Sequence, residues 1–327
     1  GGGAGLWDKM KVPVYILMWY VLNIGYNIYN KQTLNAIALP WLVSWVQLAV
    51  GAVWVLGLWA VRLRKVPTVP KEALKAMVPV AAAHTLGHVS TVLSLGAVAV
   101  SFTHVIKSME PFFNVVASAV ILKSVFPIPV YISLLPVVVG VIIASVSEVS
   151  FTWGGFISAM VSNFAFTARN IFSKMSMNAA TGAETKNLGP VNVFGILSII
   201  STLLLAPLVL IFEGAKIKST WLAATAGTAA VISQPQLLTL LLASGLFFQT
   251  YQEVAFLALG SLHPVSHSVA NTIKRVVIII TSIIVFSNPV TPAAMIGSSV
   301  AILGVLLYSL TKNHYDQKAK AESAKAS

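Results

Sequence analysis

Long apolar stretches alternate with short polar or proline-containing segments along the chain. Windows of about 19 residues find ten apolar stretches that are long enough for a helix to cross a bilayer. They centre on Val14 to Asn30, Pro40 to Val61, Leu74 to Leu95, Ser101 to Leu122, Val130 to Ser147, Phe156 to Met177, Val191 to Phe212, Leu237 to Leu259, Pro264 to Phe286 and Pro292 to Leu310. The pattern predicts an all-α integral membrane protein with ten transmembrane helices. The longest connection, Glu213 to Gln236, is too polar and irregular for an eleventh span, and we assign it no role.

Composition agrees with this pattern and excludes several classes of protein. Of the 327 residues, 57% are hydrophobic and 9% are charged, whereas soluble domains carry about 25% charged residues. The net charge of +12 does not indicate nucleic-acid binding, because no soluble domain is present to carry the surface. The absence of cysteine excludes disulfides and thiolate metal sites. We therefore expect the lipid bilayer as a partner, and neither nucleic acid nor a cofactor.

The Lys and Arg residues are distributed unequally between the two predicted faces. The face that holds both termini receives Lys9, Lys11, Arg62, Arg64, Lys65, Lys71, Lys75, Lys123, Lys174, Lys186, Lys312, Lys318, Lys320 and Lys325. The other face receives Lys31, Lys216 and Lys218. This bias follows the positive-inside rule for an even number of spans. Four cations remain at membrane depth: Lys107, Arg169, Lys274 and Arg275.

Short segments recur at corresponding positions in the two halves of the chain. NIYNK at Asn27 to Lys31 ends the first predicted span, and NIFSK at Asn170 to Lys174 ends the sixth. LGAVAVSFTHV and LGSLHPVSHSV precede the fourth and ninth spans. An odd number of spans in each half inverts the second half, which is the plan of many secondary transporters. We predict a first five-helix repeat at 12–150, a second at 151–312 and a polar C-terminal tail at 313–327.

Polar side chains form stripes on five of the predicted spans. The stripes are His84, His88 and Thr91; His104, Lys107, Glu110 and Asn114; Ser158, Ser162, Arg169 and Ser173; Gln249 to Glu253; and His267, Asn271, Lys274 and Arg275. Such stripes face the interior of a bundle and not lipid. The four deep cations set against Glu110 and Glu253 leave about two positive charges uncompensated, which predicts an anionic ligand. A phosphate monoester or inorganic phosphate suits these donors, while sulfate and a dicarboxylate remain alternatives.

Structural roles compete with this interpretation at several positions. Lys107 and Glu110, three residues apart, can form an ion pair. Arg169 and Lys174 can extend to the membrane interface, and Glu253 can neutralise a single cation. The histidines His84, His104 and His263 are read as packing or hydrogen-bonding residues. Lys274 and Arg275 are different, because one carboxylate cannot satisfy both and the ninth span contains no acid, so we predict that they contact an anion.

Three long motifs resemble the plastid phosphate translocators of the drug/metabolite transporter superfamily. They are HTLGHVSTVLSLGAVAVSFTHVIKSMEPFFN from His84, GFISAMVSNFAFTARNIFSK from Gly155 and VANTIKRVVIIITSIIVF from Val269. The resemblance covers nearly all of Val12 to Leu310. It implies a ten-helix antiporter of the inner plastid envelope that exchanges triose phosphate or 3-phosphoglycerate for inorganic phosphate. The stretch LGHVST looks more like the triose-phosphate branch, whereas NTIKRVVIIITSIIVF is also similar to the hexose-phosphate branch.

The resemblance also implies roles for individual residues. By position, Lys107, Lys274 and Arg275 would hold the phosphate group. A second set would complete the pocket around the carbon end of the substrate: His88, Thr91, Arg169 and Tyr251. A third set is assigned to charge balance or gating: Glu110, Glu253 and Lys174.

Other classes of protein are weighed against this one. An enzyme would need a nucleophile with a base or a metal cluster, and no HExxH, no cysteine and no aspartate occurs in the predicted spans. An anion channel would use the same basic residues. A phosphoenolpyruvate translocator and a nucleotide-sugar carrier are the remaining alternatives, and binding of a nucleoside monophosphate would distinguish the last.

Overall fold

The computed structural model describes residues 2–179, 189–226, 230–261 and 264–326. Side chains are described in these ranges except at 2–9, 174, 176–179, 259–261, 264–265, 267–268 and 323–326. The described chain is helical. Its helices are α1 Gly2–Ala36, α2 Pro40–Ala60, α3 Lys71–Ala97, α4 Val100–Lys107, α5 Glu110–Ile121, α6 Ile128–Ile132, α7 Leu135–Ser147, α8 Trp153–Ala179, α9 Pro190–Phe212, α10 Gly214–Thr225, α11 Gln234–Ser261, α12 Pro264–Phe286 and α13 Pro292–Ala326.

Six helical segments of the described chain are long and apolar enough to cross a membrane. They are Pro40–Ala60, Lys71–Ala97, Ile128–Ser147, Pro190–Phe212, Val269–Phe286 and Pro292–Glu322. These segments coincide with the second, third, fifth, seventh, ninth and tenth predicted spans. The other four predicted spans coincide with α1, with α4 and α5 together, with α8 and with α11.

The fourth predicted span is not one continuous helix, and in this detail the prediction is wrong. Ser108 and Met109, between α4 and α5, form a turn in which the α-helical hydrogen bonding is interrupted. The backbone N–H of Ser108 donates to Val105 O at 3.0 Å and that of Met109 to Ile106 O at 3.0 Å. These i to i−3 bonds tighten the turn. Pro111, in the first turn of α5, has no N–H with which to continue the α-helical pattern.

One other predicted span is also divided, and two segments outside the spans contain helix. The fifth span divides at Ser133 and Leu134 into α6 and α7, and Pro136 again stands in the first turn of the second helix. The tail predicted as a separate polar segment continues α13 as helix to Ala326, with an ion pair between Lys312 and Asp316. The connection after Glu213 contains α10, whose 12 residues are too few to span a bilayer.

The helices pack in long neighbouring pairs. α3 runs along α8, α1 along α11, and α7 along α13. α2 packs against α9 and α11, and α12 contacts α1, α4 and α13. The helices of the first and second halves are therefore interleaved around a common interior.

One end of the bundle is closed by buried apolar side chains, here called the end cluster. Its members are Leu34, Ile37, Val43, Val92, Leu95, Val100, Ala224, Leu237, Leu241 and Ile278. Most of them lie where α1 and α3 end and where α2, α4 and α11 begin. Lys31 lies beside the end cluster, and its ammonium donates to Leu95 O at 2.7 Å and Val98 O at 3.0 Å. Lys31, predicted only as a charge of this face, thus ties the end of α1 to the end of α3.

The segment after α9 holds the beginning of α2. Glu213 is buried, and its carboxylate accepts hydrogen bonds from Trp41 N at 3.1 Å and Leu42 N at 2.8 Å. These backbone groups have no partner within α2. A carboxylate at this position is also favoured by the helix dipole. Glu213, at the edge of the connection to which the sequence assigned no role, therefore caps α2.

Candidate functional site

A cavity of about 220 Å³ lies inside the bundle, between α1, α3, α4, α5, α8, α11 and α12. Polar and aromatic side chains from both halves of the chain line it. The lining residues are Trp19, Asn23, Tyr26, Asn27, His88, Thr91, His104, Lys107, Glu110, Phe166, Arg169, Phe248, Tyr251, Gln252, Ala255, Asn271, Lys274 and Arg275. All four cations predicted at membrane depth are among them.

Lys107 is the last residue of α4, immediately before the helix breaks. Its ammonium donates to Ser162 Oγ at 2.8 Å and lies 3.3 Å from Thr91 Oγ1. The two hydroxyl oxygens are 2.7 Å apart, and Thr91 donates to Gly87 O at 2.8 Å. The ammonium also lies 4.6 Å from the centre of the Phe166 ring. Lys107 is therefore positioned by neutral groups, which leaves its charge uncompensated by direct contact.

Arg275 is paired with the carboxylate of Glu110. Arg275 Nη2 lies 3.2 Å from Glu110 Oε2, and Nη1 lies 3.5 Å from His104 O. The predicted pairing of Glu110 with Lys107 is not present, because the break at Ser108 and Met109 changes the helical spacing between them and Glu110 meets Arg275 instead. His104 O can face Arg275 since Ser108 N, its ordinary α-helical partner, donates to Val105 O.

Lys274 and Arg169 each lie against an aromatic ring of the cavity lining. Lys274 Nζ lies 4.5 Å from the centre of the Trp19 ring, and no described carboxylate lies within ion-pair distance of it. The Arg169 guanidinium lies 4.8 Å from the Phe166 ring, donates from Nη2 to Asn170 Oδ1 at 3.1 Å, and is 3.4 Å from His84 Nδ1. Such ring contacts favour a cation but do not neutralise it.

Some of the uncharged lining groups pack against one another as a cluster of rings, here called the aromatic wall. The His88 ring lies 4.2 Å from that of Phe248, and the Tyr251 ring lies 5.3 Å from that of Tyr26 and 5.7 Å from that of Phe248. His88 and Tyr251, both predicted for the pocket, therefore do line the cavity, as does Thr91.

Several buried polar atoms of the lining have no hydrogen-bond partner in the described protein. They are Tyr26 Oη, His88 Nε2 and Arg275 Nε. Buried polar atoms are nearly always paired, so these three atoms are exceptions to the usual pattern.

The contribution of α1 to the lining was missed by the reasoning from sequence. Trp19, Asn23, Tyr26 and Asn27 all line the cavity. A signal was present, since Asn23, Tyr26 and Asn27 recur at spacings of three and four residues and so share one helical face. This face of α1 is therefore a sixth polar stripe, in addition to the five predicted ones.

Glu253 is placed away from the cavity cations. Its carboxylate accepts two hydrogen bonds from Arg64, Nη1 to Oε1 at 2.9 Å and Nη2 to Oε2 at 2.7 Å. Gln249 Nε2 donates to the same carboxylate at 2.9 Å. Arg64 had been counted only among the charges of the basic face. The lining described here thus contains four cations and one carboxylate, Glu110. The side chain of Lys174 and the whole of His263 lie outside the described residues.

An all-helical membrane fold around a cationic cavity is the arrangement of a carrier or channel for anions. The chain belongs to the Triose-phosphate Transporter family, whose match covers residues 10–309.

Characterised relatives agree with this family. A triose phosphate/phosphate translocator from non-green plastids of Brassica oleracea var. botrytis is 43% identical over 314 residues, which is 95% of this chain and 76% of the relative. Glucose-6-phosphate/phosphate translocator 2 of Arabidopsis thaliana is 40% identical over 307 residues, covering 93% and 76%. Phosphoenolpyruvate/phosphate translocator 1 of Oryza sativa subsp. japonica is 42% identical over 311 residues, covering 95% and 74%.

The fold also has a counterpart among solved structures. One crystal structure matches with a TM-score of 0.54 at 12% identity, over 94% of this chain and 98% of the other. At this identity the likeness concerns the fold alone.

Proposed function

We propose that the chain is an antiporter that exchanges triose phosphate or 3-phosphoglycerate for inorganic phosphate across the inner envelope of the plastid. The observation that carries the proposal is the charge of the cavity, where four cations from α4, α8 and α12 face one carboxylate. A buried charge without a partner costs several kcal/mol. A phosphate dianion would remove most of the imbalance and supply acceptor oxygens to the buried donors.

The positions of the side chains support different roles for two groups of residues, one for the phosphate group and one for the carbon end of the substrate. Lys107, Lys274 and Arg275 converge from α4 and α12, and we assign the phosphate group to them. Arg169 contacts the same Phe166 ring as Lys107 and would complete the pocket. His88, Thr91 and Tyr251 would face the carbon end of the substrate.

A cavity of about 220 Å³ admits a phosphorylated three-carbon compound. The preference for such a compound rests on the resemblance of LGHVST to the triose-phosphate branch. The relatives named above transport different phosphate esters, so hexose phosphate and phosphoenolpyruvate remain the alternatives to be tested. Plastid location is proposed because all three relatives are plastid translocators.

The packing of the helices supports a ten-helix carrier built of two inverted five-helix repeats. If each helix is exchanged for its counterpart five spans away, the α3–α8 pair becomes the α11–α1 pair. The contact of α2 with α11 becomes that of α9 with α3, and the contact of α1 with α12 becomes that of α8 with α4 and α5. All of these contacts occur. A carrier of this plan alternates access by rocking its halves around a central site.

The same charge gives a reason for obligatory exchange. To alternate, the carrier must occlude the cavity, and an empty occluded cavity would bury about three uncompensated positive charges. Each costs on the order of a few kcal/mol, and 1.4 kcal/mol slows a step tenfold. A bound phosphate dianion cancels most of this charge, so the loaded carrier can occlude from either side.

The test uses purified protein in proteoliposomes. Uptake of labelled phosphate should saturate and should require phosphate or a phosphate ester inside the vesicles. Triose phosphate and 3-phosphoglycerate should compete for uptake more strongly than glucose 6-phosphate or phosphoenolpyruvate, and a nucleoside monophosphate should not compete. Uptake of the same rate and extent into empty vesicles would refute exchange, and stronger competition by glucose 6-phosphate would assign the chain to the hexose-phosphate branch.

A further inference from the structure

The side chain of Asn27 has only one possible orientation. Its Nδ2 lies 2.9 Å from Asn23 O and 2.9 Å from Asn23 Oδ1. A backbone carbonyl can only accept a hydrogen bond, so the atom facing it must be the amide nitrogen of Asn27. Asn27 Oδ1 therefore points the other way and is available as an acceptor.

This orientation determines which nitrogen of His104 carries a proton. His104 Nε2 lies 2.8 Å from Asn27 Oδ1. Because that oxygen can only accept, Nε2 must be the donor. His104 lines the same cavity as Arg275, Lys107 and Lys274, and like charges repel, so a second proton on the ring is disfavoured. His104 is then neutral, and Nδ1 carries a lone pair.

His104 Nδ1 is a hydrogen-bond acceptor among groups that mostly donate. His104 lines the cavity, and no described protein group donates to its Nδ1, which is not among the fully buried atoms without partners. Most polar groups that surround it, Lys107, Lys274 and Arg275 above all, can only donate. A ligand with acceptor oxygens alone would satisfy these donors and leave Nδ1 facing an oxygen.

We propose that His104 is a specificity-determining residue that accepts a hydrogen bond from a hydroxyl of the substrate. This proposal rests on the proposed function. In inorganic phosphate this would be the P–OH of the hydrogen phosphate dianion. In a phosphate ester, whose phosphate dianion has no proton, it would be a hydroxyl of the carbon chain. Sulfate has the same charge and nearly the same shape but no proton, so His104 would exclude it.

The exclusion follows from repulsion and from an unmet acceptor. With sulfate bound, the Nδ1 lone pair would face an oxygen lone pair where the hydroxyl proton of the substrate would otherwise lie. Sites built to bond a substrate hydroxyl reject analogues without it far more strongly than apolar pockets reject a missing methylene. Glu110 Oε1 is the competing acceptor, but that carboxylate already balances Arg275.

The test compares two substitutions at His104. In His104→Asn the amide oxygen falls near the place of Nδ1 and keeps an acceptor, whereas His104→Leu removes it. Purified variants are titrated with sulfate and with inorganic phosphate, and binding is read from the shift in thermal unfolding as well as from inhibition of phosphate exchange. The wild type and His104→Asn should prefer phosphate to sulfate, and His104→Leu should lose at least about tenfold of this preference.

Each outcome decides one question. If His104→Leu keeps the preference while Glu110→Gln loses it, the acceptor is Glu110 and the proposal is wrong. If the wild type binds sulfate as tightly as phosphate, no such acceptor operates. If the wild type binds neither anion, the proposed function itself fails. Should His104→Leu not fold, loss of the preference in the folded His104→Asn would also overturn the proposal.

Discussion

Arg275 Nη2 lies 3.2 Å from Glu110 Oε2, and this ion pair joins α12 to the first turn of α5 across the cavity. The pair divides the adjacent cations of α12 into two kinds. Arg275 is already balanced by a carboxylate, whereas Lys274 rests against the Trp19 ring. Lys274 is therefore the one of the two whose charge a ligand would neutralise directly.

We expect Lys274→Ala to weaken phosphate binding about 10- to 150-fold, because a charge-assisted hydrogen bond contributes roughly 1.5 to 3 kcal/mol. The protein should fold normally, since no carboxylate loses its partner. Lys218→Ala, at an exposed lysine of α10, is the matched control. Phosphate competition in proteoliposomes measures the effect, and unchanged affinity in Lys274→Ala would remove this residue from the site.

Ser162→Ala should weaken phosphate binding by a smaller factor, about 2- to 10-fold, because it removes one neutral partner of the Lys107 ammonium. Ser158→Ala changes the same helix one turn away, at a residue that does not line the cavity, and should have no effect. Equal behaviour of the two variants would show that Ser162 does not position Lys107.

Glu253→Gln should lower stability without loosening the site. The carboxylate holds Arg64 through two hydrogen bonds, and both side chains are largely buried, with 22% and 11% of their surfaces exposed. Glutamine keeps one acceptor oxygen but loses the negative charge and one of the two hydrogen bonds. This costs roughly 1.5 to 3 kcal/mol, which lowers the melting temperature. The affinity for phosphate should stay within about twofold. A marked gain in phosphate affinity would mean instead that Glu253 balances the cavity cations.

Changing His88 should alter selectivity more than affinity. His88 packs on Phe248 in the aromatic wall, and we assign it to the carbon end of the substrate. His88→Asn should therefore change the ratio of 3-phosphoglycerate to phosphate exchange by more than it changes phosphate exchange itself. Equal losses for both substrates would indicate a structural role for His88 or a contact with the phosphate group.

Lys31→Met should loosen the closed end of the bundle, because the ammonium no longer holds Leu95 O and Val98 O at the end of α3. The chain contains no cysteine, so a single reporter, Leu34→Cys in the buried end cluster, can be labelled selectively. A membrane-impermeant thiol reagent should modify this cysteine faster in the Lys31→Met background. Lys216→Met, on the same predicted face, is the control, and equal rates in both backgrounds would show that Lys31 does not restrain this end.

The positions of the helices were predictable because their apolar stretches are long, although the fourth and fifth predicted spans are each divided in two. Lys107, Arg169, Lys274 and Arg275 stand out in the sequence because charges inside apolar helices are rare, and all four line the cavity. The ion-pair partners of the two glutamates, Glu110 and Glu253, could not be predicted in the same way. Arg64 follows α2 in the chain and looks like a surface charge, and only the tertiary fold brings it to Glu253.

Local geometry accounts for the remaining differences. The Lys107–Glu110 pair was predicted from ideal α-helical spacing, and a tighter turn of two residues between them is enough to change that spacing. The cap of α2 by Glu213 joins residues more than 170 positions apart, which no local pattern indicates. The polar stripe on α1 is present in the sequence, but asparagine and tyrosine are less unusual in an apolar helix than charged residues are.

The contact of α7 with α13 bears on how losses of function should be interpreted. A methyl group at Gly140 would lie 2.6 Å from Gly297 O, and one at Gly297 would lie 2.8 Å from Gly140 O, so neither position accepts even alanine without moving a helix. Neither helix lines the cavity. Random mutagenesis scored by growth or uptake would nevertheless recover both glycines beside the true ligand contacts. Only a count of the folded molecules in the membrane would separate variants that cannot transport from variants that were never assembled.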